Sequence, residues 1–84
     1  MFTLEEKINL FVQPECEKCE KIVSFINENN LPVSIYDVTT EKGYALSKKY
    51  IINKLPTVLI FKKSTSFAER LYTIEELKKT FKLQ

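Results

Sequence analysis

Leu10-Phe11-Val12-Gln13-Pro14-Glu15-Cys16-Glu17-Lys18-Cys19 contains both cysteines of the chain. Residues 7–12 read as a strand: Ile8, Leu10, Phe11 and Val12 are apolar or β-forming, with polar Asn9 among them. Gln13-Pro14-Glu15 breaks that strand. Residues 17–29 are helical in pattern. Ile22, Val23, Phe25 and Ile26 make an apolar stripe, and Glu17, Lys18, Glu20, Lys21 and Glu28 take the outer side. Asn29-Asn30 ends the helix and Pro32 follows. The cysteines therefore stand where a strand hands over to a helix.

Residues 33–38 carry Val33, Ile35, Tyr36 and Val38 and read as a second strand. Strand, helix and strand in that order imply a parallel pair with a right-handed crossover. Thr39-Thr40-Glu41-Lys42 opens a second helix with a threonine as N-cap. Tyr44, Leu46, Tyr50 and Ile51 supply its apolar side, and Gly43 inside it should cost about 1 kcal/mol against alanine. Residues 57–62, Thr-Val-Leu-Ile-Phe-Lys, form an apolar strand. Residues 63–66 are a polar turn and residues 67–72 a short strand that pairs back as an antiparallel hairpin. Thr73-Ile74-Glu75-Glu76 is a capping box ahead of a third helix. Ile74, Leu77 and Phe81 are its buried row, and Lys78, Lys79 and Lys82 sit near its C-terminus, where cations suit the macrodipole. The order β-α-β-α-β-β-α gives an α/β fold: a four-stranded mixed sheet with helices on both faces.

Eighty-four residues make one domain, 1–84. Hydrophobic residues at 44% and charged residues at 29% support a core and exclude a disordered tail. Thirteen Lys and Arg against eleven Asp and Glu leave +2, interspersed along the chain. No basic face points to nucleic acid or to a membrane surface. The longest apolar run, Val58-Leu59-Ile60-Phe61, falls far short of the roughly 20 residues of a membrane span. The first residues carry Glu5 and Glu6 and no apolar h-region, so the expected location is the cytoplasm.

Two cysteines and no histidine narrow the chemistry. A disulfide-stapled secreted domain wants about four to eight cysteines. Cys16 and Cys19 lie at i and i+3, about 5–6 Å apart in a helical turn, which is inside disulfide range. The start of a helix favours an anion and lowers the pKa of the first thiol. A thiolate attacks a disulfide, and a second thiol three residues on can resolve the mixed disulfide. That ordering makes Cys16 the exposed nucleophile and Cys19 the more buried resolving thiol. Neighbouring charges oppose one another: Lys18 and Lys21 favour the Cys16 thiolate, whereas Glu15, Glu17 and Glu20 disfavour it. Other uses of the pair fit less well. Closing so short a loop stabilises by only about 2 kcal/mol in the chain-entropy model, which makes a poor staple. Zinc wants four ligands, so a metal site would need carboxylates or a second chain. Pro56, in Leu55-Pro56-Thr57-Val58, is by position a strand-start proline.

The Cys16-Glu17-Lys18-Cys19 pair behind a strand, and the run from Tyr50 to Lys62 around Leu55-Pro56-Thr57, resemble the two signature regions of the thioredoxin superfamily. Length and element order resemble glutaredoxins, which lack the extra N-terminal strand and helix of thioredoxins. Gln13-Pro14-Glu15-Cys16 is similar to the Lys-Pro-x-Cys run of a glutaredoxin site. The resemblance spans residues 7–83. It implies a minimal thioredoxin fold, a cis peptide bond at Pro56, and a Leu55 whose backbone N–H and C=O hold an extended substrate chain by strand addition. It also places Lys18 and Gln13 beside the substrate. At the start of the third helix, Tyr72 and Thr73 become a candidate carboxylate site. Several positions depart from the family pattern. Lys18 replaces the aromatic residue usual in glutaredoxins, Gln13 replaces a lysine, and Glu69-Arg70-Leu71-Tyr72-Thr73 stands where a Gly-Gly turn is expected. These changes weigh against tight glutathione binding. No Trp precedes the first cysteine, and Leu10 stands where thioredoxins bury an acid that assists proton transfer to the second thiol.

The resemblance implies a thiol–disulfide oxidoreductase that reduces protein disulfides through Cys16 and Cys19. The cysteine pair is its redox group, with no metal and no other cofactor. Its expected electron donor is a flavin disulfide reductase of the thioredoxin-reductase type, with glutathione as the alternative donor or co-substrate. A monomer is expected, with neither nucleic-acid nor membrane partner. Two other readings stand beside this one. The first is a glutathione-dependent glutaredoxin that needs only Cys16. The second is a non-enzymatic thioredoxin-like binding module, or an iron–sulfur or metal-bridged dimer.

Overall fold

Seven elements follow the order read from the sequence: β1 (Lys7–Val12), α1 (Glu17–Glu28), β2 (Ser34–Asp37), α2 (Glu41–Lys49), β3 (Thr57–Phe61), β4 (Glu69–Leu71) and α3 (Ile74–Thr80). The structure is a computed structural model and describes residues 7–62 and 68–82. The expected polar turn at 63–66 lies outside the described residues.

The sheet order is β2-β1-β3-β4. β1 pairs in parallel with β2, Leu10 opposite Ile35, and antiparallel with β3, Leu10 opposite Val58. β3 pairs antiparallel with β4, Leu59 opposite Arg70. The two central strands are thus β1 and β3, the two most apolar. Central position buries both faces of a strand, which explains why β3 reads as an unbroken apolar run.

Strand alternation sorts the side chains into two layers. On one face Ile8, Leu10, Val58, Ile60 and Leu71 pack against Ile22 and Ile26 of α1 and Leu77 of α3. Val23, Phe25, Ile74 and Phe81 pack around that cluster. Full burial of each Ile or Leu stabilises by about 1.5–3 kcal/mol, so this layer holds the sheet to both helices. On the opposite face Phe11 and Leu59 are buried. Tyr36 stacks on Phe11 with centroids 5.7 Å apart, and Tyr50, which caps α2, meets Phe61 at 5.1 Å.

α2 corrects two expectations. Tyr44 and Ile51 do not belong to its buried side; they are 57% and 67% exposed. Tyr44 and Leu46 are two residues apart and cannot share one face of a helix. The inner stripe runs instead through Gly43, Leu46 and Tyr50, of which Gly43 is buried. Gly43 is not a flaw in the helix. A β-carbon there would run into the carbonyl of Asp37 at the end of β2. Glycine lets α2 approach that strand end, while the Gly43 N–H donates to the N-cap Thr40 Oγ1 at 3.1 Å.

Arg70 fastens β4 to α2. Its guanidinium donates to the Tyr50 carbonyl at 2.6 Å and the Ile51 carbonyl at 3.2 Å. A cation at these carbonyls satisfies the C-terminal end of α2.

Candidate active site

Cys16 is the N-cap of α1, with extended backbone angles, and its sulfur accepts the Cys19 N–H at 3.2 Å. Asn, Asp, Ser or Thr usually fills this position. Here a cysteine sulfur takes that place. The two cysteines form a disulfide with Cα atoms 5.2 Å apart. Cys16 is half-buried, whereas Cys19 is only 2% exposed and sits one turn before the core residue Ile22. An attacking group from outside therefore reaches the Cys16 sulfur first.

The N-terminal N–H groups of α1 point at a sulfur that carries negative charge whenever the pair is reduced and Cys16 ionises. Of the opposing charges around it, Glu17 and Lys21 are taken up by each other, at 3.4 Å. Both side chains are largely exposed, so the pair contributes little to stability. Leu10, at the position where thioredoxins carry an acid, is fully buried in the apolar layer. Among the described residues the one buried polar side chain is Thr57. No buried carboxylate there is available to take the Cys19 proton.

Thr57 secures the loop before β3. Its hydroxyl donates to the Lys54 carbonyl. The Leu55–Pro56 peptide bond in that loop is cis, and Pro56 is buried. Lacking an N–H, Pro56 offers no donor of its own.

A groove of about 290 Å³ runs between α1, this loop and the start of α3. It gathers Lys18, Leu55, Pro56, Tyr72 and Thr73 from three separate parts of the chain. Gln13 lies apart, in a second depression with Val38, Ile52 and Asn53 that shares only Lys54 and Leu55 with the groove. Several lining residues escaped the sequence reading: Lys21, Ile22, Lys54 and Ile74. Lys54 holds its ammonium 4.7 Å from the Tyr72 ring centroid, a cation–π contact that no local pattern reveals.

At the expected carboxylate site, Tyr72 and Thr73 face a carboxylate of the chain itself. The Tyr72 N–H donates to Glu76 Oε1 at 2.8 Å, and the Thr73 N–H to the same oxygen at 3.1 Å. The chain's own carboxylate already holds the two donors. The Tyr72 N–H is the main reason the Glu76 carboxyl lies below its ordinary pKa; burial opposes it, and the Thr73 groups and the Lys54 charge each add a smaller lowering effect. This consequence was readable in the capping box, because a formed box uses the N-cap N–H. Among the described residues, no three His, Cys, Asp or Glu side chains gather to hold a metal ion. No helix there is long and apolar enough to cross a membrane.

With this geometry in place, similarity to solved structures becomes informative. No protein-family model and no curated protein matches the sequence. The thioredoxin-like protein BC3987 matches with a TM-score of 0.64 at 25% identity, over 87% of this chain and 97% of its own. This is a thioredoxin-fold protein. Thioredoxin 1 of Thermosipho africanus matches at 0.65 with 24% identity, over 90% of each chain. Oxidised Plasmodium falciparum thioredoxin matches at 0.69 with 21% identity, over 92% of this chain and 81% of its own. The thioredoxin fold and its Cys16–Cys19 pair together support thiol–disulfide oxidoreductase chemistry.

Proposed function

We infer that the protein reduces disulfides in other proteins through Cys16 and Cys19. The carrying observation is the half-buried Cys16 sulfur capping α1 ahead of a buried Cys19. The Cys16 thiolate attacks one client sulfur. A bond forms between Cys16 and that sulfur, and the other client sulfur leaves as a thiolate that takes up a proton. Cys19, its proton lost to water or to the departing thiolate, then attacks Cys16. The second client sulfur leaves, and the Cys16–Cys19 disulfide remains. Two electrons have moved from the pair to the client. During the exchange the client chain lies extended along Leu55, held through its backbone.

A flavoenzyme of the thioredoxin-reductase type recharges the pair, and the protein works as a monomer in a reducing compartment, the cytoplasm. Occupation of the Tyr72 and Thr73 donors by Glu76 favours this reading over a glutathione-dependent one. The test uses two variants and a disulfide-bonded protein substrate. Cys16→Ser abolishes reduction, and Cys19→Ser accumulates a mixed disulfide visible by intact mass. Sustained multiple turnover by Cys19→Ser would defeat the two-cysteine mechanism.

A further inference from the structure

The groove lined by Lys18, which stands between the two cysteines in sequence, carries more cations than acids. Three of its lining side chains are lysines, Lys18, Lys21 and Lys54, and one is an acid, Glu75. The acids of α1 lie elsewhere: Glu17, Glu20 and Glu28 line a different depression, beside Ser24 and Phe25, where Lys21 and Lys78 accompany them. Lys18 lines the groove and has no ion-pair partner among the described residues. Lys21 shares its charge with Glu17, and Lys54 keeps its ammonium over the Tyr72 ring, where it also acts on the Glu76 carboxylate. Between the cations the surface is apolar, made by Ile22, Leu55, Pro56 and Ile74. A partner segment that suits this surface carries apolar residues and a carboxylate.

We propose that the groove selects acidic client segments, in which an Asp or Glu close to the reactive disulfide meets Lys18 and Lys54. The proposal rests on the reading of Cys16 and Cys19 as a reductant of protein disulfides and names the class of protein they serve. Both lysines are exposed. Their attraction for a carboxylate therefore acts mainly on encounter and is screened by salt. Selectivity appears in kcat/KM, is largest at low ionic strength and shrinks as salt is added.

The experiment measures reduction of matched disulfide-bonded peptides by the pre-reduced full chain. The peptides differ only in flanking Glu, Gln or Lys. Uncharged 2-hydroxyethyl disulfide and a glutathione mixed disulfide of the Gln peptide complete the set. The expected order is Glu over Gln over Lys, spanning roughly tenfold at low salt and collapsing toward equality near 0.5 M salt, about where the screening length falls to a few ångströms. Lys18→Gln/Lys54→Gln pulls the Glu-to-Lys ratio toward one. Lys42→Gln, on the other face of the sheet over Tyr36, leaves the ratio as it was. Equal rates for the three peptides, with 2-hydroxyethyl disulfide reduced, overturn the proposal and leave the reductase standing. So does a glutathione mixed disulfide that outpaces the Glu peptide, or a ratio that falls as far in Lys42→Gln as in the double variant. Failure to reduce any of the disulfides defeats the reductase reading and the proposal with it.

Discussion

Two helices start at the same groove and end their orphan N–H groups in opposite ways. α1 is capped by Cys16, whose sulfur accepts the Cys19 N–H. α3 is capped by a closed box, in which Thr73 Oγ1 accepts the Glu76 N–H at 3.2 Å and Glu76 accepts the Thr73 N–H. Thr73 and Glu76 are residues whose only task at such a position is to satisfy backbone. Cys16 is a weak acceptor while neutral and a strong one when ionised. One end of the groove is therefore a finished structural joint. The other is a cap whose strength changes with its redox and protonation state, which is what a reacting thiol requires. A carboxylate from solution finds the Tyr72 and Thr73 N–H groups already taken, because the chain has supplied its own.

The sharpest way to break this contrast is Cys16→Ser. Serine caps a helix at least as well as cysteine. The variant should lose disulfide reduction completely, by at least about a thousandfold. Its urea midpoint under reducing conditions should move little, within the equivalent of about 0.5 kcal/mol. A large loss of stability would mean that Cys16 serves mainly as structure.

The next effect comes from the start of α2. Gly43→Ala forces a β-carbon toward the Asp37 carbonyl, and overpacking of this kind costs about 1–3 kcal/mol. Helix propensity alone points the other way, toward a gain of about 1 kcal/mol. The sign of the change in a chemical denaturation midpoint decides between them.

Thr73→Ala opens the box at α3 and should cost about 1 kcal/mol, read by the same denaturation. The smallest effect is one of pH. Folding lowers the Glu76 pKa, chiefly through the Tyr72 N–H. Such a group contributes stability above its unfolded pKa, about 4.3, and that contribution is lost as pH falls through the lower folded value. Glu76→Gln should therefore narrow the stability difference between pH 6 and pH 3 relative to the parent chain. Parallel pH profiles for the two proteins would show that the box does not depend on the carboxylate charge.

Much of the fold was legible because its strongest signals are local. β1 matched its expected bounds, and α1 ended one residue early at Glu28. Their patterns are bounded by Gln13-Pro14-Glu15 and Asn29-Asn30, turn residues with clear chemistry. The capping box read from Thr73 and Glu76 is formed as expected. β2 came out shorter, at Ser34–Asp37, because it lies at the sheet edge, where half of its alternation faces solvent and Ile35 is 40% exposed. What escaped the sequence is non-local. Gly43 is explained by a carbonyl on β2, and Arg70 by carbonyls some twenty residues earlier in the chain. Lys54 belongs to the groove only once its loop is set beside Tyr72. Gln13 is next to the cysteines in sequence, yet it faces a different depression. At the site itself, the cysteine spacing and the helix start carried the chemistry. The distribution of charge around it needed the fold.

The central claim is that Cys16 and Cys19 are a reversible dithiol poised to donate electrons. A redox titration in glutathione buffers, read by thiol alkylation and intact mass, tests it most directly. A two-electron conversion between free dithiol and internal disulfide is expected, with a potential below about −230 mV, where the reduced pair is a competent donor. A potential near −120 mV would make the pair an oxidant, and no internal disulfide at any poise would remove the redox function altogether.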